Sequence, residues 1–217
     1  MVKLEKYKSF IFDCDGVLLN SNKIKTEAFY QAALPYGADL AQSLVAHHVA
    51  NGGVSRYQKF SHFLDKIVPV GKIGPDIEEL LGVYANRVNE GLMNCEIDSG
   101  IFSLRELTPS TRWFIVSGGD QAELRKVFAA RKLDYLFDGG IFGSPDNKDL
   151  ILKREMTSKR INEPGIFIGD SRYDHQASHR AGLDFIFISH WTELDDWSAY
   201  CEEHQILSLD NLEDLTK

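Results

Sequence analysis

Two aspartates, Asp13 and Asp15, lie one residue apart directly after a short apolar segment. The segment Ser9–Phe12 has the composition of a buried strand, and Gly16 ends it. Because residues i and i+2 of a strand point to the same side, we expect both carboxylates on one face. Two such acids repel each other unless a cation or a phosphate-binding site requires both. The alternative is a solvated turn, since Asp and Gly are common turn residues.

Two further polar segments have a chemistry suited to anions. Ser117 and Gly118 follow the apolar segment 113–116 and precede a predicted helix over 120–128. A hydroxyl and backbone amides at this point can bind an anion, although Ser117 as a helix N-cap is the alternative. Lys148 begins another predicted helix, where its charge suits a phosphoryl oxygen. A surface lysine is the alternative for that residue.

A second acidic pair follows the apolar segment 166–168. Asp170 comes almost directly after it, and Asp174 comes one helical turn later. Helix capping and solvation are the alternatives for these two residues. Because the carboxyl ends of parallel strands lie along one edge of a sheet, we expect these acids to meet Asp13 and Ser117 there. Carboxylates are good Mg²⁺ ligands, so the joint pattern predicts a magnesium site beside a phosphate-binding site.

The elements that must position these residues alternate between strands and helices. Short segments rich in Ile, Phe and Val are separated by stretches long enough for a helix, with weaker strands at 141–142 and 206–209. Such a pattern is typical of a parallel sheet covered on both faces. Between residues 22 and 93, apolar residues instead recur at helical spacing, which predicts four helices. The predicted fold is therefore α/β.

The predicted domains follow from this alternation. We expect a three-layer, Rossmann-like parallel sheet core formed by residues 1–20 and 94–217. We expect an inserted four-helix cap domain over residues 21–93, at the end of the first strand, where an insert is well placed to act as a lid.

Composition excludes several classes of protein. With 217 residues, 43% hydrophobic and 26% charged, the chain has the composition of a globular protein with a real core. The net charge of −8 argues against nucleic acid and membrane surfaces as partners. The three cysteines (Cys14, Cys95 and Cys201) have no CxxC spacing, and the charged segment 1–7 does not have the pattern of a signal peptide. We expect a cytoplasmic protein, a monomer or a weak homodimer.

Together the polar segments resemble the four motifs of the haloacid dehalogenase-like hydrolases. The matching segments are DxDGVxxxS from Asp13, Ser117-Gly118, Lys148, and GDxxxD from Gly169. They occur in the order of the family and cover essentially the whole chain. The resemblance implies the phosphatase and phosphomutase branch, whose members carry a small helical cap.

The resemblance implies roles for the acids. Asp13 would be the nucleophile that forms an aspartyl phosphate. Asp15 would protonate the leaving oxygen and then deprotonate the attacking water. Mg²⁺ would bind the Asp13 side chain, the Asp15 backbone carbonyl and Asp170. Asp174 would hold these ligands in position without binding the metal itself.

The resemblance also implies how substrate is bound. Ser117, Gly118 and Lys148 would bind the phosphoryl oxygens. The segment Gly53–Arg56 resembles the cap loop of the hexose-phosphate mutases, where the arginine contacts the far end of the substrate. An exposed arginine at a helix start is the alternative for Arg56. Further candidates in the same region are Tyr57, Lys59, His47 and His48.

Two residues favour one activity within the family. Asp15 favours phosphate chemistry, because an alkoxide leaving group needs a proton and a halide does not. Lys25 stands where the mutases carry a histidine, which favours a phosphatase over a sugar phosphomutase. We expect a small phosphorylated metabolite as substrate, such as a sugar or polyol phosphate, in a pathway such as surface-polysaccharide biosynthesis. A binding protein that kept the fold without catalysis is the third alternative, disfavoured because every expected polar position is present.

Overall fold

The computed structural model describes residues 3–217, which contain one parallel sheet of six strands. The strands are β1 (Ser9–Phe12), β2 (Arg112–Asp120), β3 (Gly140–Ser144), β4 (Gly165–Gly169), β5 (Asp184–Ile188) and β6 (Leu207–Leu209). Their order across the sheet is β3-β2-β1-β4-β5-β6, and every neighbouring pair is parallel. The predicted parallel α/β sheet is therefore confirmed, including both weaker strands.

Nine α-helices accompany the sheet in residues 3–217. Four follow β1: α1 (Asn22–Ala33), α2 (Ala38–Ala50), α3 (Arg56–His62) and α4 (Ile77–Asn94). We call residues 22–94, which contain these four helices and their connections, the helical insert. The others are α5 (Gly100–Leu107), α6 (Gln121–Ala130), α7 (Lys148–Thr157), α8 (Arg172–Arg180) and α9 (Trp197–Glu203). None of these helices is long and apolar enough to cross a membrane.

Capping residues set the limits of the insert helices. Ser55 accepts a hydrogen bond from the backbone of Gln58 at the start of α3. Asp76 and Glu79 form a reciprocal capping box at the start of α4. The four helices occupy the region where the apolar spacing predicts them. The division into a cap over residues 21–93 and a core remains a prediction, and the first two core residues lie outside the described part of the chain.

The sheet is buried on both faces. Phe10 and Phe12 pack on one side with Trp113, whose ring centroid lies 4.7 Å from that of Phe12. Ile11 points to the other side and packs in a second cluster with residues that include Ile151 of α7. Since successive strand residues alternate between two buried faces, the strands must be apolar throughout. This explains their continuous apolar composition.

Strand β2 is longer than the sequence predicts. The apolar segment ends at Val116, but the strand continues to Asp120, with a shift in register before Asp120 pairs with Ser144 of β3. Asp120, rather than Ser117, caps α6 by accepting from the backbone of Glu123 at 2.9 Å. Ser117 therefore lies inside an irregular strand end, and the alternative of Ser117 as a helix cap is wrong.

Candidate active site

Three carboxylates converge at the carboxyl edge of the sheet. Asp13, Asp170 and Asp174 each offer an oxygen within 4.8 Å of the others, and all three side chains are buried. Asp13 follows β1, and its backbone N–H donates to the carbonyl of Ile168 at 2.9 Å. Asp174 lies in the first turn of α8 and forms a capping box with Ser171. The parallel sheet thus brings together acids that are far apart in the chain.

Lys148 lies among these carboxylates. It is fully buried, its ammonium forms an ion pair with Asp174, and its Nζ lies 3.0 Å from Oδ1 of Asp13. Asn147 caps α7 and so fixes the point where the lysine enters the site. Burial lowers the pKa of Lys148, but the two carboxylates outweigh burial and the pKa is raised. The alternative of a surface lysine is wrong.

The charges of this cluster suit a divalent cation. Ionisation of all three acids gives three negative charges against the one positive charge of Lys148. Burial raises the pKa of Asp13 to about 7 although Lys148 opposes it, and burial and the neighbouring acids raise that of Asp170 well above its usual range. Oδ1 of Asp13 is buried, and the Lys148 ammonium lies 3.0 Å from it. Because Mg²⁺ takes carboxylate oxygens and carries two charges, these residues fit it.

Asp15 has a separate set of partners at the start of α1. Its carboxylate forms an ion pair with Lys25 and accepts from Ser21 Oγ at 2.6 Å. Burial raises the pKa of Asp15, but Lys25 and Ser21 outweigh burial, so the pKa lies below its usual value. The sequence identifies Lys25 only as a difference from the mutases, not as a partner of Asp15. The spacing of four between Ser21 and Lys25, which puts both on one helix face, is the signal that indicates their shared partner.

Two glycines allow the close contacts of the site. Gly16 has φ +76, and a Cβ there would overlap the carboxylate of Asp170, whose Oδ2 accepts from Asn22 Nδ2 at 2.7 Å. A Cβ on Gly118 would overlap the carbonyl of Gly53 in the loop before α3. The helical insert therefore lies directly over the polar end of β2. Asn22 was not anticipated as a contact of Asp170.

The residues predicted in the insert have different surroundings. Arg56 is buried, with a guanidinium nitrogen 2.7 Å from Oε2 of Glu123 in α6 and its Cζ 4.6 Å from the ring centroid of Tyr84. The alternative of an exposed arginine is wrong, and the sequence did not predict Glu123 or Tyr84 as partners. Tyr57 donates to Asp120 at 2.9 Å. His47 stacks on His62, at a centroid distance of 4.0 Å.

One cavity joins the insert to the sheet edge. Its lining contains residues of both parts: Asp13, Asp15, Lys25, Phe29, His48, Gly53, Val54, Arg56, Lys59, Tyr84, Gly118 and Gly119. Asp13 and Asp15 therefore line one side of this cavity, and side chains of the insert line the other. A cavity of about 270 Å³ lies beside it and is lined by Asp170 and by Asn51 and Gly52 of the loop before α3.

The family of the chain follows from its match to a family model. Residues 10–188 match the model of the haloacid dehalogenase-like hydrolases, a span that contains all the polar residues described above. The chain belongs to this family, and the resemblance of its four motifs is confirmed. A search of curated proteins finds no match.

Solved structures of similar fold agree with this assignment. A predicted phosphoglycolate phosphatase from Haemophilus somnus has a TM-score of 0.71 and 16% identity, over 98% of both chains. CbbY from Rhodobacter sphaeroides, in complex with phosphate, has a TM-score of 0.70 and 15% identity, over 96% of both chains. The HAD-hydrolase YfnB from Bacillus subtilis, bound to magnesium, has a TM-score of 0.68 and 18% identity, over 97% of both chains. At these identities the likeness concerns the fold.

Proposed function

We propose that the chain is a magnesium-dependent phosphatase that hydrolyses a small phosphomonoester through an aspartyl phosphate. The observation that carries the proposal is the buried cluster of Asp13, Asp170 and Asp174 around the single ammonium of Lys148. When ionised, the three acids carry two negative charges more than Lys148 balances, and a carboxylate oxygen of Asp13 lies beside the lysine. A cation and a lysine are what a carboxylate needs in order to approach a phosphate anion.

In the first half-reaction, a carboxylate oxygen of Asp13 forms a bond to phosphorus while the ester P–O bond breaks. The leaving alkoxide takes the proton of Asp15. Lys148 and the backbone amides near Ser117 and Gly118 hold the phosphoryl oxygens. In the second half-reaction, water loses a proton to Asp15 and attacks phosphorus, which releases inorganic phosphate and regenerates Asp13.

Lys25 favours one of the two proton transfers of Asp15 and opposes the other. Its ion pair favours the ionised carboxylate, which is the form that accepts the proton of water. Donation to the leaving oxygen requires that Asp15 hold a proton in spite of this ion pair. Lys25 is therefore a positioning residue that acts through Asp15.

The residues that would hold the metal are Asp13, Asp170 and the backbone carbonyl of Asp15, with Asp174 as support. Bound Mg²⁺ would supply positive charge to the transferring phosphoryl group. The magnesium in the Bacillus subtilis structure and the phosphate in the Rhodobacter sphaeroides structure support this part of the proposal. A sugar, polyol or similar metabolite phosphate is the substrate class we propose, since the cavity between insert and sheet is small.

Phosphate release from a panel of phosphorylated sugars, polyols and acids tests the proposal, in Mg²⁺ and in chelator. We expect release that requires Mg²⁺ and that is abolished in Asp13→Asn. Asp65→Asn is the matched control, because Asp65 is exposed in the insert and forms no ion pair with a described residue. Full release by Asp13→Asn, or release that chelator leaves unchanged, would contradict the proposal.

A further inference from the structure

Lys59 in α3 is a buried lysine without a carboxylate partner. Its side chain is 2% exposed, and no carboxylate of residues 3–217 forms an ion pair with it. Its Nζ lies 2.7 Å from Nδ1 of His48 and 5.6 Å from the ring centroid of Phe29. Burial, followed by the nearby charge of Lys25, lowers the pKa of Lys59 to about 7. A charge held away from water in this way is unfavourable unless an anion joins it.

His48 adds a second unused donor. Because the ammonium of Lys59 has only hydrogens to offer, Nδ1 of His48 accepts, and Nε2 carries the hydrogen of the neutral ring. Burial, with Lys59, keeps the pKa of His48 well below its usual value, so the neutral form prevails. Nε2 is buried and has no hydrogen-bond partner. The pair therefore presents donors and no acceptor.

Both side chains line the cavity that holds the catalytic acids. The other cations of that lining are already paired with carboxylates: Lys25 with Asp15, and Arg56 with Glu123. Lys148, at the base of the site, is paired with Asp13 and Asp174. Among the described residues around the cavity, Lys59 is the cation left for a ligand.

We propose that Lys59 and His48 form a subsite for a second oxyanion on the substrate, a carboxylate or a phosphate. The inference rests on the proposed phosphatase function and narrows its substrate class to phosphomonoesters that carry a second acidic group. A distal hydroxyl would leave the buried ammonium unpaired, whereas an oxyanion neutralises it and accepts from both donors. Arg56, predicted to contact the far end of the substrate, lines the same cavity but is already paired with Glu123 of α6.

Three matched substrates test the subsite: 2-hydroxyethyl phosphate, carboxymethyl phosphate and ethane-1,2-diol bisphosphate. They share the reacting phosphate ester and differ in the distal group. For the wild type we expect kcat/KM to favour the two acidic substrates by about 10- to 100-fold, the range for a charge-assisted contact in a buried site. In Lys59→Met the preference falls by about the same factor, mainly through KM. Lys59→Arg retains part of it.

Lys66→Met is the matched control, since Lys66 lies in the same insert, is exposed and forms no ion pair with a described residue. We expect it to keep the preference of the wild type. A stability measurement adds a readout that does not depend on turnover. Since Lys59→Met removes an unpaired buried charge, we expect its Tm without ligand to equal or exceed that of the wild type. If the variant is folded, its loss of preference for the acidic substrates reflects lost recognition of the distal oxyanion and not unfolding.

Two results overturn the subsite: a wild type that hydrolyses 2-hydroxyethyl phosphate as well as the acidic substrates, or a Lys59→Met variant that keeps the preference. Failure of the phosphatase proposal is distinguishable from either. If no substrate releases phosphate, calorimetry on the Asp13→Asn protein in Mg²⁺ measures binding of the same three compounds. Tighter binding of the acidic pair, lost when Lys59→Met is added, then supports the subsite. Equal binding of all three overturns it.

Discussion

We expect the metal-free protein to lose stability through Asp13 as the pH rises from about 4 to about 7. The folded-state pKa of this carboxyl is about 7, against 3.8 for the free side chain, because burial outweighs the attraction of Lys148. The folded protein therefore binds more protons than the unfolded chain between these values. The stabilisation from Asp13 is complete below pH 3.8 and is lost as the pH passes through 7. Most paired carboxylates act in the opposite direction.

The size of the effect follows from the difference in pKa. One pKa unit corresponds to about 1.4 kcal/mol, so the difference between 3.8 and about 7 amounts to about 4 kcal/mol for this fully buried group. About 3 kcal/mol of it falls between pH 5 and pH 8. Asp170 acts in the same direction, because burial and the neighbouring acids raise its pKa as well. Bound Mg²⁺ would favour both ionised forms and so reduce the dependence on pH.

Urea unfolding of the wild type and of Asp13→Asn, at pH 5 and pH 8 in chelator, measures this effect. The comparison between the two proteins is needed because His48 and Lys59, whose pKa values burial lowers, contribute with the opposite sign in both. We expect the stability of the wild type relative to Asp13→Asn to fall by about 3 kcal/mol from pH 5 to pH 8. In Mg²⁺ the wild type should gain stability, most strongly at pH 8.

The reasoning is refuted if the stability difference between the two proteins is the same at both pH values, or rises with pH. Either result would mean that Asp13 is ionised in the folded protein throughout this range. The excess of negative charge in the cluster would then be compensated by something other than bound protons. A stability gain in Mg²⁺ that survives in Asp13→Asn would remove this side chain from the metal site.

Three further substitutions test single contacts. Lys148→Met leaves buried acids unpaired, so we expect a loss of about 3–5 kcal/mol in urea unfolding and no phosphate release. Lys25→Met removes the partner that lowers the pKa of Asp15, so the limb of the kcat/KM–pH profile governed by Asp15 should move to higher pH by about one unit or more. Gly118→Ala places a methyl group against the carbonyl of Gly53 and displaces the loop before α3, so kcat/KM should fall by about tenfold or more while the core stays folded.

Each of these has an outcome that contradicts it. Lys153→Met is the control for Lys148→Met, because Lys153 lies on the exposed side of the same helix, and equal effects of the two would remove the special role of the buried lysine. An unchanged pH profile in Lys25→Met would separate Lys25 from Asp15 in the working enzyme. An unchanged kcat/KM in Gly118→Ala would show that the loop before α3 need not approach β2 during turnover.

The sequence by itself determined the sheet and the polar positions at its edge. Each strand is recognisable as a short apolar segment, because both faces of the sheet are buried. The four polar motifs follow strands whose carboxyl ends share one edge of the sheet. The four insert helices were predictable from apolar spacing alone. These features depend on local composition and on one general rule of parallel sheets. The end of β2 was predicted wrongly because Ser117, Gly118 and Gly119 carry no apolar signal.

Only the tertiary structure determined which polar and charged side chains contact each other. Asn22 reaches Asp170 across 148 positions of sequence, and Arg56 finds Glu123 in a helix of the core. The sequence identifies a charged residue but not its ion-pair partner, because the partner depends on how the insert packs against the sheet. Lys59 shows the consequence most clearly: in the sequence it is one of 24 basic residues, and in the fold it is buried and lines a cavity with Asp13 and Asp15 without an ion-pair partner among the described residues.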